Sequence, residues 1–146
     1  MKIAIGCDPN ATDLKEKIKK LIESLGHQVT DYGSDDAIYA NVAIALAADV
    51  AAGKHDRGVL ICGTGIGMSI AANKVKGAYA ALITDIYQAQ RASLSNNANI
   101  ITLGAFVTGV ELAKALVKEY LSLTFDPESS SAPKVNRITK YDKEGK

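Results

Sequence analysis

The chain has 146 residues, of which 47% are hydrophobic and 23% charged, and its formal net charge is +1. These values fit one globular domain with a single core, and a nearly neutral chain carries no electrostatic footprint for nucleic acid or an anionic membrane. No apolar run approaches the ~20 residues of a membrane-spanning helix, and we expect no signal peptide. Two cysteines, Cys7 and Cys62, make no disulfide framework, so we expect the reduced cytosol as the compartment.

The first part of the chain alternates strand patterns with helical patterns. A short apolar strand over residues 2–6 ends at Asp8 and Pro9, and Thr12 is then a candidate N-cap for a helix that ends at Gly26. The elements predicted after it are, in order, a strand at 28–32, a helix ending at Gly53, a strand at 59–61, a glycine-rich turn with an Ile- and Ala-rich helix, a strand near 79–83, a helix near 86–94, a strand near 99–103, a helix at about 110–121 and a short terminal helix at 134–138.

Strands alternating with helices predict an α/β fold of three layers: a doubly wound, five-stranded parallel sheet of flavodoxin or Rossmann type, with strand order 2-1-3-4-5 and a C-terminal helical tail. In that order a crevice opens at the carboxyl ends of strands one and three, where the winding reverses. Asp8 and Cys62 follow those two strands. We therefore expect both residues to flank one pocket, and Cys7 to come close to Cys62.

The glycine-rich turn after the third strand is the most informative stretch. Gly63, Gly65 and Gly67 allow a tight turn whose N–H groups converge, and the helix that follows adds the positive end of its dipole. The spacing is neither a dinucleotide fingerprint nor a Walker A motif, so alone it indicates an anion or nucleotide site. Cys62 at the edge of this turn is either a reactive thiol or a small buried hydrophobe.

The run ILICGTGIGMSIAANK closely resembles the signature of the ribose-5-phosphate isomerase B family, which includes the galactose-6-phosphate isomerase subunits. MKIAIGCD, LGHQVTDYG, NNANIITLGAFVTG and ELAKALVKEYL also fall where that family has their counterparts. The resemblance covers the chain to about Asp126, and more loosely to Ile138. It implies an isomerase domain over residues 1–126, a tail over 127–146 that packs on a partner subunit, a phosphorylated sugar as substrate, and no metal or cofactor.

The resemblance also assigns roles in aldose–ketose isomerisation through an enediolate. Cys62 matches the catalytic base and Thr64 the catalytic hydroxyl that handles the ring oxygen. Substrate binding is expected at eight further positions, with main-chain N–H groups of the glycine turn as oxyanion donors: Asp8, Tyr39, Gly63, Gly65, Ile66, Gly67, Asn96 and Lys134.

Several family positions carry other residues here. The family has histidine where this chain has Pro9 and Ser95, the second of which is the position assigned to ring opening. Arginine or histidine is likewise replaced at four more positions, namely Phe106, Ser130, Ser131 and Lys134. The two histidines of the chain, His27 and His55, precede strands rather than follow them, which places them at the wrong end of the sheet.

Three hypotheses follow. The chain is a cysteine-donating subunit beside a paralogue that supplies the missing groups, as in galactose-6-phosphate isomerase. It is instead a homodimeric isomerase of ribose 5-phosphate or a related sugar, with Lys134, Arg137 or Arg91 holding the phosphate. The third hypothesis is a non-catalytic paralogue that binds a sugar phosphate or only supports assembly.

Overall fold

The computed structural model describes residues 1–145 and contains the alternating elements that the sequence predicts. The strands are β1 (Lys2–Cys7), β2 (Gln28–Asp31), β3 (Arg57–Cys62), β4 (Ala80–Leu82) and β5 (Ile100–Gly104). The helices are α1 (Thr12–Ser24), α2 (Tyr39–Ala51), α3 (Ile66–Ala72), α4 (Ile86–Leu94), α5 (Val110–Ser122) and α6 (Ala132–Glu144), with a 3-10 turn at Pro9–Ala11. Among the described helices, none combines the length and the apolar character that a bilayer crossing requires.

All five strands run parallel in one sheet, in the order β2-β1-β3-β5-β4. The doubly wound architecture is confirmed, whereas the predicted order 2-1-3-4-5 is wrong for the last two strands. Every residue of β5 is buried, while the three residues of β4 are only partly buried. The longer and fully buried strand β5 therefore takes the interior position beside β3, and the short strand β4 forms the edge.

Helices cover both faces of the sheet, which gives the expected three layers. Apolar residues of α1, α4 and α5 pack on one face and those of α2 and α3 on the other. Because strand residues alternate between faces, Cys7 lies in the first core and Cys62 in the second. The expected approach of these two thiols is therefore wrong.

The turn after β1 begins its helix earlier than the sequence predicts. The Asp8 carboxylate caps the 3-10 turn by accepting a hydrogen bond from the Asn10 N–H at 3.1 Å, and Pro9 supplies the fixed φ that starts such a turn. Thr12 is not the N-cap: it is already helical, and its hydroxyl donates to the Pro9 carbonyl. This early cap fixes the Asp8 side chain at the carboxyl edge of the sheet.

The C-terminal helix α6 is longer than the predicted 134–138 and contacts its own chain. The Asp142 carboxylate accepts hydrogen bonds from the Gly77 N–H at 2.7 Å and from the Tyr79 hydroxyl at 2.9 Å. Burial, followed by the hydrogen bond to Asp142 and then the charge of that carboxylate, raises the pKa of Tyr79 to about 12, so the phenol keeps its proton. The end of the tail thus lies on the loop before β4.

A partly buried ion pair holds the loop that follows β2. The Lys15 ammonium, 3% exposed, donates to Asp31 at 2.9 Å, and the Gly33 N–H donates to the same carboxylate at 2.8 Å. Burial alone would raise the pKa of Asp31, but the Gly33 N–H together with Lys15 and Lys19 outweighs it and holds that pKa below its usual value. The Gly33 carbonyl accepts a hydrogen bond from the Cys7 N–H, so the Lys15–Asp31 ion pair stabilises the end of β1 next to Asp8.

Replacement of Asp31 by asparagine is expected to lower the free energy of unfolding by about 2 kcal/mol at pH 7, because Lys15 loses its main charged partner. The folded pKa is depressed, so this stability is present above the unfolded pKa near ~4 and is lost as the pH falls through the folded value. Urea unfolding at pH 7 and pH 3 measures the difference, which should shrink at pH 3. Asp35→Asn, an exposed carboxylate on the same loop, serves as the control and should change little.

Candidate active site

A cleft of about 550 Å³ opens at the carboxyl ends of β1 and β3. It lies where the winding of the sheet reverses, which is the usual position of ligand sites in such folds. The residues that line it are Asp8, Asn10, Ala37, Tyr39, Cys62, Gly63, Thr64, Ile66, Gly67, Ile70 and Phe106. Seven of the ten predicted site residues are brought together here, and Gly65 lies directly beneath them.

Cys62 ends β3 with its sulfur at the floor of this cleft. The residue is 5% exposed, and its Sγ accepts a hydrogen bond from the Gly65 N–H at 3.1 Å. A main-chain donor aimed at sulfur stabilises negative charge there, and the thiolate is the form that acts as a base or nucleophile. The Gly65 N–H thus donates to the sulfur, and its role as a donor to a substrate oxyanion stays a prediction.

The turn that carries this donor is rigid because it touches two neighbouring strands. Gly65 has a φ of +79°, and a Cβ on it would lie 2.6 Å from the Leu82 Cδ1 and 2.9 Å from the Leu103 carbonyl carbon. The Thr102 hydroxyl donates to the Gly65 carbonyl at 2.9 Å. Only glycine fits both the left-handed backbone and the close approach of β5.

The segment after β5 completes the same loop. The Ala105 N–H donates to the Cys62 carbonyl and the Phe106 N–H to the Gly63 carbonyl, at 2.8 and 2.9 Å. Beside them the Thr64 hydroxyl oxygen accepts from the Ile66 N–H at 3.2 Å. With that oxygen engaged as an acceptor, the exposed Thr64 hydroxyl proton is free to be donated into the cleft.

Asp8 supplies a carboxylate to the lining of the same cleft. It is 6% exposed, and the N–H and side-chain amide of Asn10 donate to its two oxygens at 3.1 and 3.3 Å. These bonds orient the carboxylate before any ligand arrives. Sequence reasoning missed Asn10, for which the Asp-Pro-Asn turn was the available signal.

Tyr39 begins α2 and lays its ring over α3 at the position of Gly67. A Cβ on Gly67 would lie 2.4 Å from the Tyr39 Cζ and 2.8 Å from its hydroxyl oxygen. The third glycine of the turn therefore makes room for a tyrosine that is 41% exposed and faces the cleft.

Gly67→Ala is expected to separate activity from stability. Alanine favours a helical position by about 1 kcal/mol over glycine, so the free energy of unfolding should hold or rise once Tyr39 swings away. The displaced phenol should lower kcat/KM by about 10- to 100-fold, since a shift of ~1 Å in a positioning group has that effect. Steady-state kinetics with urea unfolding of the same preparation measures both. Gly109→Ala, with open space around its Cα, is the control.

Phe106 forms an apolar wall of the cleft. Its side chain is 73% exposed, and a Cβ on Gly63 would lie 2.9 Å from the phenylalanine Cδ2. Among the described residues that line this cleft, there is no lysine, arginine or histidine. The described lining of one chain therefore presents a thiol, a carboxylate and N–H donors, but no cationic side chain.

The other predicted residues lie elsewhere on the chain. Asn96 lines a second crevice with Asn73, Tyr79 and Ile138, and Lys134 is exposed on α6. His27 bonds the terminal amino group at 3.0 Å and His55 bonds the Tyr32 hydroxyl at 2.9 Å. Both histidines precede strands, at the edge of the sheet opposite Cys62, as predicted.

Comparison with known proteins identifies what this arrangement is similar to. A family model described as ribose/galactose isomerase matches residues 3–138. D-erythrulose-4-phosphate isomerase 2 of Mycolicibacterium smegmatis is 49% identical over 97% of both chains, and ribose-5-P isomerase B of Listeria innocua is 42% identical over the whole of both. The solved structure of Clostridium thermocellum ribose-5-phosphate isomerase B superimposes with a TM-score of 0.93, at 38% identity and full coverage of both chains.

Proposed function

Because the chain belongs to the ribose/galactose isomerase family and is a sugar-phosphate isomerase, we propose that its substrate is a four-carbon sugar 4-phosphate and its base is Cys62. The reaction would interconvert an aldose 4-phosphate and the corresponding ketose 4-phosphate, as in the relative named D-erythrulose-4-phosphate isomerase. The observation that carries the choice of substrate is the position of the histidines, neither of which lies at the edge of the sheet where Cys62 lies.

The chemistry needs one base and a set of oxygen-directed donors. The Cys62 thiolate removes the proton from the carbon next to the carbonyl, and the electron pair moves onto the carbonyl oxygen. The proton of the neighbouring hydroxyl then moves to that oxygen, and the Cys62 thiol returns its proton to the former carbonyl carbon, so the old carbonyl becomes a hydroxyl and the old hydroxyl becomes the new carbonyl. N–H groups at Gly63 and Gly67 would stabilise the enediolate oxygens, while Asp8 and Tyr39 would bind hydroxyls. The Thr64 hydroxyl would donate to a substrate oxygen.

The proposed number of carbon atoms in the substrate follows from whether the sugar phosphate can close a ring. Ribose 5-phosphate closes a five-membered ring through its free hydroxyl on the fourth carbon, so its isomerase needs an acid to open that ring. In a four-carbon 4-phosphate the same oxygen is esterified and the ring cannot form. A site with Ser95 at the ring-opening position and no imidazole at this edge suits a substrate that is already open.

A second candidate rests on the absence of basic residues from the lining of the cleft. In that case the chain would donate Cys62 to a hetero-oligomer, and a paralogous subunit would supply histidine and arginine for a longer sugar such as galactose 6-phosphate. In either assembly we propose that the tail of residues 127–146, whose last residue lies outside the described part of the chain, packs on the partner, and that Lys134 and Asn96 reach the partner's cleft. A homodimer is the simpler assembly for a four-carbon substrate.

The test is turnover by the purified chain alone. We expect kcat/KM for D-erythrulose 4-phosphate to exceed that for ribose 5-phosphate or galactose 6-phosphate by about 100-fold or more, given the missing ring-opening acid. A preference for ribose 5-phosphate would contradict the four-carbon assignment. Turnover only after addition of a paralogue would support the hetero-oligomer. No turnover in either case, with a sugar phosphate still raising Tm, would indicate a non-catalytic paralogue.

A further inference from the structure

Asn10 is a polar residue of the Cys62 cleft to which the isomerisation chemistry assigns no role. It belongs to the 3-10 turn Pro9–Ala11, where its main-chain N–H and its side-chain amide donate to the two oxygens of Asp8 at 3.1 and 3.3 Å. A carboxylate only accepts hydrogen bonds, so the NH2 group of Asn10, rather than its carboxamide oxygen, faces Asp8. The second N–H of that group and the carboxamide oxygen have no partner among residues 1–145 and are free to bind a ligand.

A second pair of this kind shows what the same hydrogen bonds do on their own. The Asp36 carboxylate accepts from the Ile38 N–H at 2.8 Å and from the Asn41 side chain at 2.9 Å. These two bonds, that of Asn41 first, hold the pKa of Asp36 below its usual value, because they favour the ionised carboxylate. Neither Asp36 nor Asn41 is among the described residues that line the Cys62 cleft. The Asp36 pair is therefore structural, whereas the Asp8 pair has the same bonds and also opens into the cleft.

The charge of Asp8 limits which substrate oxygen it can bind. Negative charge develops on the oxygens of the two reacting carbons, and a carboxylate beside them would repel that charge. Asp8 therefore suits a hydroxyl that keeps its proton throughout the reaction. In a four-carbon ketose 4-phosphate the first and second carbons react, and the oxygen of the fourth carbon is esterified. The hydroxyl on the third carbon is the one that remains.

We propose that Asn10 and Asp8 together bind the hydroxyl on the third carbon of the substrate, and that Asn10 is a specificity-determining residue. The hydroxyl donates to the Asp8 carboxylate and accepts from the second N–H of Asn10. Two hydrogen bonds of opposite direction fix both the position and the orientation of this group, so they select one configuration at the third carbon. The proposal rests on the proposed function for the identity of the ligand, a short sugar phosphate.

The first experiment compares D-erythrulose 4-phosphate with its L enantiomer, which differs only in the configuration of the third carbon. Asn10→Ala should lower kcat/KM for the preferred form by about 10-fold, mostly through KM, and should reduce the preference between the two forms by about the same factor. Asn41→Ala is the matched control, because it removes the equivalent bond to Asp36, and it should change neither value. Equal turnover of both forms by the wild type would overturn the proposal. So would an unchanged preference in Asn10→Ala with urea unfolding like that of the wild type.

The second experiment separates binding of the hydroxyl from support of Asp8. Asn10→Asp places a second carboxyl group beside Asp8, and the two groups share one proton as the pH falls to about 5. The shared proton restores the bond to Asp8 but leaves no second donor for the substrate. Relative to the wild type at the same pH, KM should therefore recover in part at the lower pH, while the preference between the two forms stays reduced. Full recovery of that preference would mean that Asn10 only orients Asp8, which would overturn the proposal.

The proposed function and the role of Asn10 can fail independently. If the wild type turns over ribulose 5-phosphate but not erythrulose 4-phosphate, the four-carbon assignment is wrong. D-ribulose 5-phosphate and D-xylulose 5-phosphate, which differ at the third carbon, then test Asn10 in the same way. If the wild type turns over no sugar phosphate, dissociation constants of the two erythrulose phosphates replace kcat/KM. In both cases a preference that Asn10→Ala reduces supports the role of Asn10, and a preference that it leaves unchanged contradicts that role.

Discussion

Cys62→Ser is expected to reduce kcat by about 1000-fold or more and to leave KM nearly unchanged. Serine keeps the size and the hydrogen bond from the Gly65 N–H, but its hydroxyl does not ionise near neutral pH and cannot take a proton from carbon. Loss of kcat without loss of binding is the signature of a group that acts in the transition state. Steady-state kinetics on the sugar phosphate that the wild type turns over provides the measurement.

The second cysteine gives a matched control. Cys7 is fully buried on the other face of the sheet, and burial raises the pKa of its thiol to about 11, so at neutral pH it is protonated. Cys7→Ala should lower the free energy of unfolding by about 1 kcal/mol through lost packing and leave kcat unchanged. Iodoacetamide should label Cys62 first, and substrate should slow that labelling. More than a tenth of wild-type kcat in Cys62→Ser would rule out the base assignment.

The sequence alone was sufficient to predict which residues meet at the carboxyl ends of β1 and β3. Cys62 and Asp8 each follow an apolar strand, and parallel strands end at the same edge, so their meeting follows from topology alone. The glycine turn could likewise be read locally, because its conformation depends on residues within it. Even so, the hydrogen bond from the Gly65 N–H to Cys62 was not predicted, because it depends on the placement of the Cys62 side chain.

Features decided by competition between distant segments could not be predicted. Strand β4 lies at the edge of the sheet because β5 buries more apolar surface against β3. A local sequence pattern describes one strand at a time, so it could not predict which of the two strands would lie beside β3. The contact of Tyr39 with Gly67 joins two helices that sequence spacing does not relate. Asn96 and Lys134 are predicted site residues that do not line the Cys62 cleft of their own chain, so the sequence match alone could not place them at this site.

Gly65→Ala is expected to have the largest effect on stability, lowering the free energy of unfolding by about 3 kcal/mol. The new methyl group would meet the Leu103 backbone at 2.9 Å, and a backbone at φ +79° is strained for any residue with a Cβ. Since β5 is an interior strand, the turn rather than the strand must move. That movement takes the Gly65 N–H away from Cys62, so kcat should fall by about 100-fold in the molecules that remain folded.

Gly53→Ala is the control that measures backbone strain without a steric contact. Gly53 has nearly the same φ, +77°, but nothing lies within 4 Å of a Cβ added to it. It should lower the free energy of unfolding by only about 1 kcal/mol, the amount that a left-handed conformation alone requires, and should leave kcat unchanged. Urea unfolding of both variants therefore isolates the contribution of the contact with β5. If Gly65→Ala lost stability as expected but kept full kcat, the hydrogen bond to sulfur would be a feature of folding, and the thiolate would have to be stabilised by another group.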